Sequence, residues 1–192
     1  VRKSRSGDEV AVHAFLPASR ANGPGLRAVV WVQGCTLACP GCFNPETHAR
    51  DAAARVAVDE LFERIAGCAA TVEGLTITGG EPLQQRKAVL SLLERVRSET
   101  ALSTVLFSGF SRDEIERMPD AARLLASIDV LIAGRYVARQ RLARGLRGSE
   151  SKTIHLLSDR YALPDVDAVP AAEVLIDAAG DVVLTGIDPL EL

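Results

Sequence analysis

Short strand-like runs, set apart by amphipathic stretches, constrain this chain more than any other feature. Ala28–Gln33 (AVVWVQ) is continuously apolar up to its last residue, as in strands buried on both faces of a parallel sheet. Leu75–Thr78, Thr104–Phe107 and Ile128–Ala133 repeat the pattern further along. Between them, residues 56–69 and 84–98 carry apolar side chains at helical spacing. Ser111 precedes RDEIERM with Glu114 three residues on, the arrangement of a capping box. Strand followed by helix, repeated, predicts an α/β fold with a mostly parallel sheet. Residues 9–17 read as a leading strand and Thr153–Leu157 as a late one. Glu173–Leu184, apolar on either side of AAGD, reads as a β-hairpin, with 158–172 an irregular connector before it.

A length of 192 residues suits one domain spanning 1–192. Its core covers about 22–157, with the strand 9–17 in front and a C-terminal hairpin at about 173–185. No apolar run reaches the roughly 18 residues of a membrane span, so no membrane partner is expected. VRKSRSGDEV has basic residues but no apolar segment behind them, which argues against a secretory signal. The net charge is −3, and the arginines are not interleaved with aromatics, so nucleic acid is a poor partner.

Three of the four cysteines lie within eight residues, Cys35, Cys39 and Cys42 in GCTLACPGCFNP. Three thiols so close, with no export signal, point to a metal site in a reducing cytoplasm rather than to disulfides. A four-iron cluster takes one thiolate per iron, so three cysteines leave one iron open. Zinc would want a fourth ligand, and His48 is the available one, at an unusual spacing. Cys68 falls in register with Val58, Leu61 and Ile65 and reads as a core residue. His13 and His155, on or near strands, read as packed or solvated rather than as ligands.

The other unusual residues also follow predicted strands. Gly79-Gly80-Glu81-Pro82 ends one, Ser108-Gly109 the next, and Gly134-Arg135-Tyr136 the one after. In parallel α/β proteins, the edge formed by the C-terminal ends of the strands hosts the chemistry. The arginine-rich stretch 135–147 has two readings: the solvated face of a helix, or guanidinium groups holding an anion at that edge.

CTLACPGC followed by TGGEP resembles the radical S-adenosylmethionine (SAM) superfamily. GPGLRAVVWVQGC, CPGCFNPET and LRGS at Leu146–Ser149 are similar to the activating enzymes of anaerobic ribonucleotide reductase, over roughly residues 22–150. The resemblance implies an incomplete, open β/α barrel in which Cys35, Cys39 and Cys42 hold a [4Fe–4S] cluster. SAM would bind the open iron and contact Thr78, Gly79, Gly80, Glu81 and Ser108, with Gly109 beside them. Gly41 stands where most of the superfamily has an aromatic residue, and Phe43 supplies the apolar contact instead. Where the activases commonly have His after the third cysteine, this chain has Phe43; after LRGS it continues Glu150-Ser151-Lys152 rather than Ser-Asn-Gln. The implied chemistry is reductive cleavage of SAM to a 5'-deoxyadenosyl radical and hydrogen abstraction from a partner glycyl-radical enzyme, with flavodoxin or ferredoxin as electron donor. A small anionic metabolite such as a nucleotide is the alternative substrate, and a non-catalytic metal-stabilised interaction domain the alternative to an enzyme.

Overall fold

The computed structural model describes residues 8–42, 44–50 and 54–188. Phe43, one of the residues expected at the SAM site, lies outside them. A seven-stranded sheet forms the centre, with strands β1 (Glu9–Ser19), β2 (Arg27–Val32), β3 (Ala54–Ala57), β4 (Gly74–Gly79), β5 (Ser103–Phe107), β6 (Val130–Ala133) and, after a two-stranded excursion, β9 (Thr153–Leu156). Their order is β3-β1-β2-β4-β5-β6-β9. Pairing is parallel from β2 through β4 and β5 to β6. The outer pairs β1–β2, β1–β3 and β6–β9 are antiparallel.

Of the six strands the sequence places around the core, counting 9–17 and Thr153–Leu157, four run parallel, and the connections explain why the other two do not. Residues 20–26 are too few for a crossover, so β1 returns on β2 as an antiparallel neighbour. Between β6 and β9 the chain forms no crossover helix either. The segment 135–147 is not a helix face. It makes a 3-10 turn at Ala138–Gln140 and then a hairpin of β7 (Arg141–Arg144) and β8 (Arg147–Ser149). Leu146, at its bend, is buried against the sheet. Residues 56–69 also begin differently. Val56 pairs with Val10 as part of β3 before helix α1 (Val58–Cys68) starts.

Helices α1, α2 (Arg86–Glu99), α3 (Arg112–Glu116) and α4 (Ala121–Ala126) contribute to one apolar layer. Leu61, Ile65, Leu92, Leu93, Ile115 and Leu124 pack there against Val30, Ile77, Leu106 and Leu131. Alternate strand residues, Val105, Val130 and Ile132, face a smaller second cluster with Leu146 and Val166. Val166 comes from helix α5 (Leu163–Asp167), which occupies part of the stretch expected to be irregular. Strands β10 (Ala172–Ile176) and β11 (Val182–Gly186) form the expected C-terminal hairpin. Ser111 caps α3 through the reciprocal box with Glu114.

At the N-terminal ends of the parallel strands lies Arg27, fully buried. Its Nε donates to Thr76 Oγ1 at 2.9 Å, and Nη1 to the Pro24 carbonyl, Ser103 Oγ and Tyr161 Oη. Nη2 donates to the carbonyls of Leu75 and Ser103. Burial lowers its pKa, and the Tyr161 hydroxyl offsets part of that. A guanidinium with every donor placed can pin three strands at one end, leaving the other end to the site.

Candidate functional site

Because β2, β4, β5 and β6 run parallel, their C-terminal ends share one edge. β2 leads into the cysteine loop, β4 into Gly80-Glu81-Pro82, β5 into Ser108-Gly109 and β6 into Gly134. The four signals separated in sequence thus meet along one edge.

The cysteine loop is clasped at its base. Gly34 N–H donates to the Thr47 carbonyl at 2.8 Å and Cys35 N–H to the His48 carbonyl at 3.1 Å. Gln33 Nε2 reaches the carbonyls of Glu46 and Ala49, while its Oε1 meets His13 Nδ1 at 2.7 Å. His13 is therefore a strut for the clasp. Gly41 has φ +72°, and a Cβ there would press on Ala138 Cβ at 3.0 Å. An aromatic residue at this position would be strained in backbone and crowded in space.

Cys35, Cys39 and Cys42 are unpaired and half-buried. Burial pushes the thiols of Cys35 and Cys42 up, while backbone hydrogen bonds at Leu37 and Asn44 pull them back. Among the described residues, no three His, Cys, Asp or Glu side chains converge where one ion could be held. A tetrahedral zinc site wants four ligands around one ion, whereas a four-iron cluster asks for one thiolate per iron around a larger body. The donor set, three free thiols on a loop clasped only at its base, fits a cluster. Cys68 is half-buried at the end of α1, packed against the core with its Sγ–H directed at the Arg64 carbonyl. It is less buried than its helical register suggests.

Glu81 is the node of the edge. Fully buried, it accepts from Leu83 N–H at 2.9 Å, Ser108 Oγ–H at 2.9 Å and Gly109 N–H at 2.6 Å. Three of a carboxylate's roughly four acceptor sites are thus occupied by the protein itself. Burial pushes its pKa up, and those three donors lower it. Ser108 Oγ also accepts from Phe110 N–H, so its hydroxyl is committed on both sides. Gly79 and Gly80 lie close to backbone rather than to open space. A Cβ on Gly79 would sit 2.6 Å from Val32 N and O, and one on Gly80 would sit 2.6 Å from the Gly34 carbonyl oxygen. Their bareness lets β4 pass under the cysteine loop. Thr78 is partly exposed and lies opposite Trp31 in the β2–β4 register.

Lys152 was not singled out from sequence. Its Nζ donates to the Gly134 carbonyl at 2.8 Å and lies 3.4 Å from that of Ser108. Burial lowers its pKa, and the negative charges of Glu81, Cys39 and Cys42 raise it again. In the sequence it stands only as part of Glu150-Ser151-Lys152, the departure after LRGS, and its place at the site follows from β9 returning along β6. Arg135 is likewise taken up by the scaffold, donating to the Gly109 carbonyl and to Glu114 and lying 5.0 Å over the Phe110 ring. Arg141 pairs with Asp188.

A family model described as a 4Fe-4S single cluster domain matches residues 21–155, the span that contains the cysteine loop and the whole parallel sheet. The anaerobic ribonucleoside-triphosphate reductase-activating protein of Vibrio cholerae is 32% identical over 151 residues, covering 74% of this chain and 96% of the relative. The proteins of the same name from Haemophilus influenzae and from Enterobacteria phage T4 are each 31% identical, over 150 and 146 residues. They cover 73% of this chain in both cases, and 94% and 90% of their own lengths. With three free cysteines on one clasped loop and relatives aligned along nearly their whole length, the chain belongs to the 4Fe–4S single-cluster family that includes the anaerobic ribonucleoside-triphosphate reductase-activating proteins.

Proposed function

We propose that the chain is a single-domain, cytoplasmic radical SAM enzyme that generates a glycyl radical on a partner reductase. The observation that carries the reading is the buried Glu81, which ties the ends of β4 and β5 together beside a loop of three free cysteines. Cys35, Cys39 and Cys42 hold the cluster, one iron each. A [4Fe–4S] cluster held by these three cysteines would supply the single electron for reductive cleavage of SAM. The protein's own residues bind and orient. Thr78, beside Trp31, together with the backbone of Gly79, Gly80 and Gly109, lines the SAM site, with Gly41 on its cysteine-loop side; Phe43, expected there from the sequence, lies outside the described residues. Glu81 and Ser108 act chiefly by fixing the strand ends, with the last acceptor site of Glu81 left for the ligand. Lys152 places a positive charge near Cys39, Cys42 and Glu81, where an anionic group would be favoured.

The four parallel strands with helices gathered in one apolar layer support an open β/α barrel, whose free side admits a loop of a folded partner. The names of the relatives favour a protein substrate over a small anionic metabolite. Flavodoxin or ferredoxin supplies the electron. Among the described residues no helix is long and apolar enough to cross a membrane.

The test is anaerobic. Reconstituted protein reduced with dithionite should release 5'-deoxyadenosine from SAM without substrate. Alanine at Cys35, Cys39 or Cys42 should abolish iron and sulfide retention, while Cys68→Ala keeps both. A fully loaded protein that forms no 5'-deoxyadenosine would refute the reading.

A further inference from the structure

Gly34, one residue before Cys35, also lines a broad open cleft of about 580 Å³ that the SAM site does not use. Its charged lining is Arg50, Arg55, Arg86 and Lys87 against Asp8 and Glu9, a local surplus of cations in a chain of net charge −3. Among the described residues, none of the four cations forms an ion pair. Arg55 and Lys87 are exposed, and Arg86 Nε is buried without a hydrogen-bond partner. Arg86 and Lys87 open α2, a helix of 14 residues whose N-cap side chain, Gln85, is bonded to Ala11 and Gln33 instead of to the helix.

The cleft is coupled to the cysteine loop through one side chain. Gln84 Oε1 accepts from Arg50 Nη2 and from Thr36 N–H, both at 3.2 Å, and Gln84 Nε2 donates to Thr36 Oγ1 at 2.7 Å. Thr36 follows Cys35, so the cationic wall begins next to a cluster ligand. The cleft is too open to enclose a small ligand, and its cations are spread over the β3 edge and the start of α2. That spread suits a flat acidic face on another protein.

We infer that this cleft is the docking face for an acidic one-electron carrier protein, which loses one electron as the cluster gains it, with no bond made or broken. The assignment rests on the function proposed above and adds where the electron enters. Steering by surface charge raises association by about 10- to 1000-fold and is screened by salt. Replacing two cations with carboxylates, in Arg55→Glu/Lys87→Glu, should weaken binding of a purified flavodoxin about tenfold or more at low salt.

Two readouts test this. The first is the affinity of the reconstituted protein for flavodoxin, measured by flavin fluorescence at about 0.05 M and about 0.5 M salt. The second is 5'-deoxyadenosine formation, driven in one arm by reduced flavodoxin and in the other by dithionite. The expected result is loss of affinity and of the flavodoxin-driven rate in the double variant, with the dithionite rate unchanged. A matched surface reversal away from the cleft, Arg20→Glu/Arg117→Glu, should change neither. Unchanged flavodoxin affinity in Arg55→Glu/Lys87→Glu, or wild-type affinity insensitive to salt, would overturn the docking face. Failure of the wild-type dithionite arm would instead overturn the enzymatic reading, and the affinity arm still decides the surface. Equal loss in both cleavage arms would assign the cations to the fold and overturn the proposal.

Discussion

Gly80→Ala puts one methyl group where the structure has none to spare. The added Cβ would lie 2.6 Å from the Gly34 carbonyl oxygen, 2.9 Å from its carbon and 3.0 Å from the Thr47 carbonyl oxygen. All three are backbone atoms in the clasp of the cysteine loop, so no flexible side chain can swing away. Relief to ordinary contact requires the loop base and the β4 end to separate by roughly 0.8 Å. The Glu81 N–H to Gly34 carbonyl bond, 3.0 Å long, would then exceed hydrogen-bonding distance, and the neighbouring Gly34 to Thr47 bond at 2.8 Å would be stretched. Overpacking costs about 1–3 kcal/mol and a lost backbone hydrogen bond about 0.5–1.5 kcal/mol. The sum is about 1.5–4.5 kcal/mol, which lowers the unfolding temperature by about 3–18 °C in a chain of this length. Thermal unfolding by circular dichroism, paired with iron content after reconstitution, reads both effects, and iron should fall because Gly34 adjoins Cys35. Gly67→Ala is the control. With nothing within 4 Å, and in the last turn of α1, it should not destabilise the protein and should gain at most about 0.5 kcal/mol. A Gly80→Ala protein with wild-type unfolding temperature and full iron, impaired only in SAM binding, would refute the clasp argument.

Glu81→Gln turns an acceptor into a donor facing Gly109 N–H, or else facing Leu83 N–H and Ser108 Oγ–H, and should cost about 1–3 kcal/mol. Because burial raises the native pKa of Glu81, the folded protein keeps a proton that the unfolded chain has shed, between the ordinary glutamate value and the raised one. Stability from this group is complete below that window and is lost as pH rises through it. Urea unfolding of both proteins across that window should show the wild-type slope flattened in the variant. Arg27→Lys strands most of the acceptors around the guanidinium and should cost about 3–5 kcal/mol in thermal unfolding. Lying at the opposite ends of the strands, it should leave iron content and 5'-deoxyadenosine formation intact at low temperature.

The parallel centre was legible because its strands are short apolar runs ending in glycine, a pattern set by burial on both faces. The outer strands were harder. Residues 56 and 57 look continuous with the helical register of Val58, Leu61 and Ile65, yet Val56, two residues from Val58, keeps the strand period and is claimed by the edge of β1. Arg141–Arg144 looked like a charged helix face, but with φ +51° at Ala143, +56° at Gly145 and +61° at Leu146 the chain turns back on itself. In the site, the clustering of GGEP and Ser108-Gly109 near the cysteines followed from strand order alone. What each residue touches did not, since glycine spacing cannot say whether the space saved is for a ligand or for the next strand.

That distinction changes how the motif works. Gly79 and Gly80 admit Val32 and Gly34, and a Cβ on Gly109 would collide with Leu37 of the cysteine loop. Glu81 then binds the β5 end to the β4 end, and its own N–H holds the Gly34 carbonyl. The motif proposed to border SAM is thus also the floor on which the cysteine loop rests. Binding and cluster retention become coupled through the same few atoms. A change meant to weaken one will weaken the other unless it falls on Thr78, which is partly exposed and sits outside the clasp. Thr78 is therefore the position at which the two contributions separate.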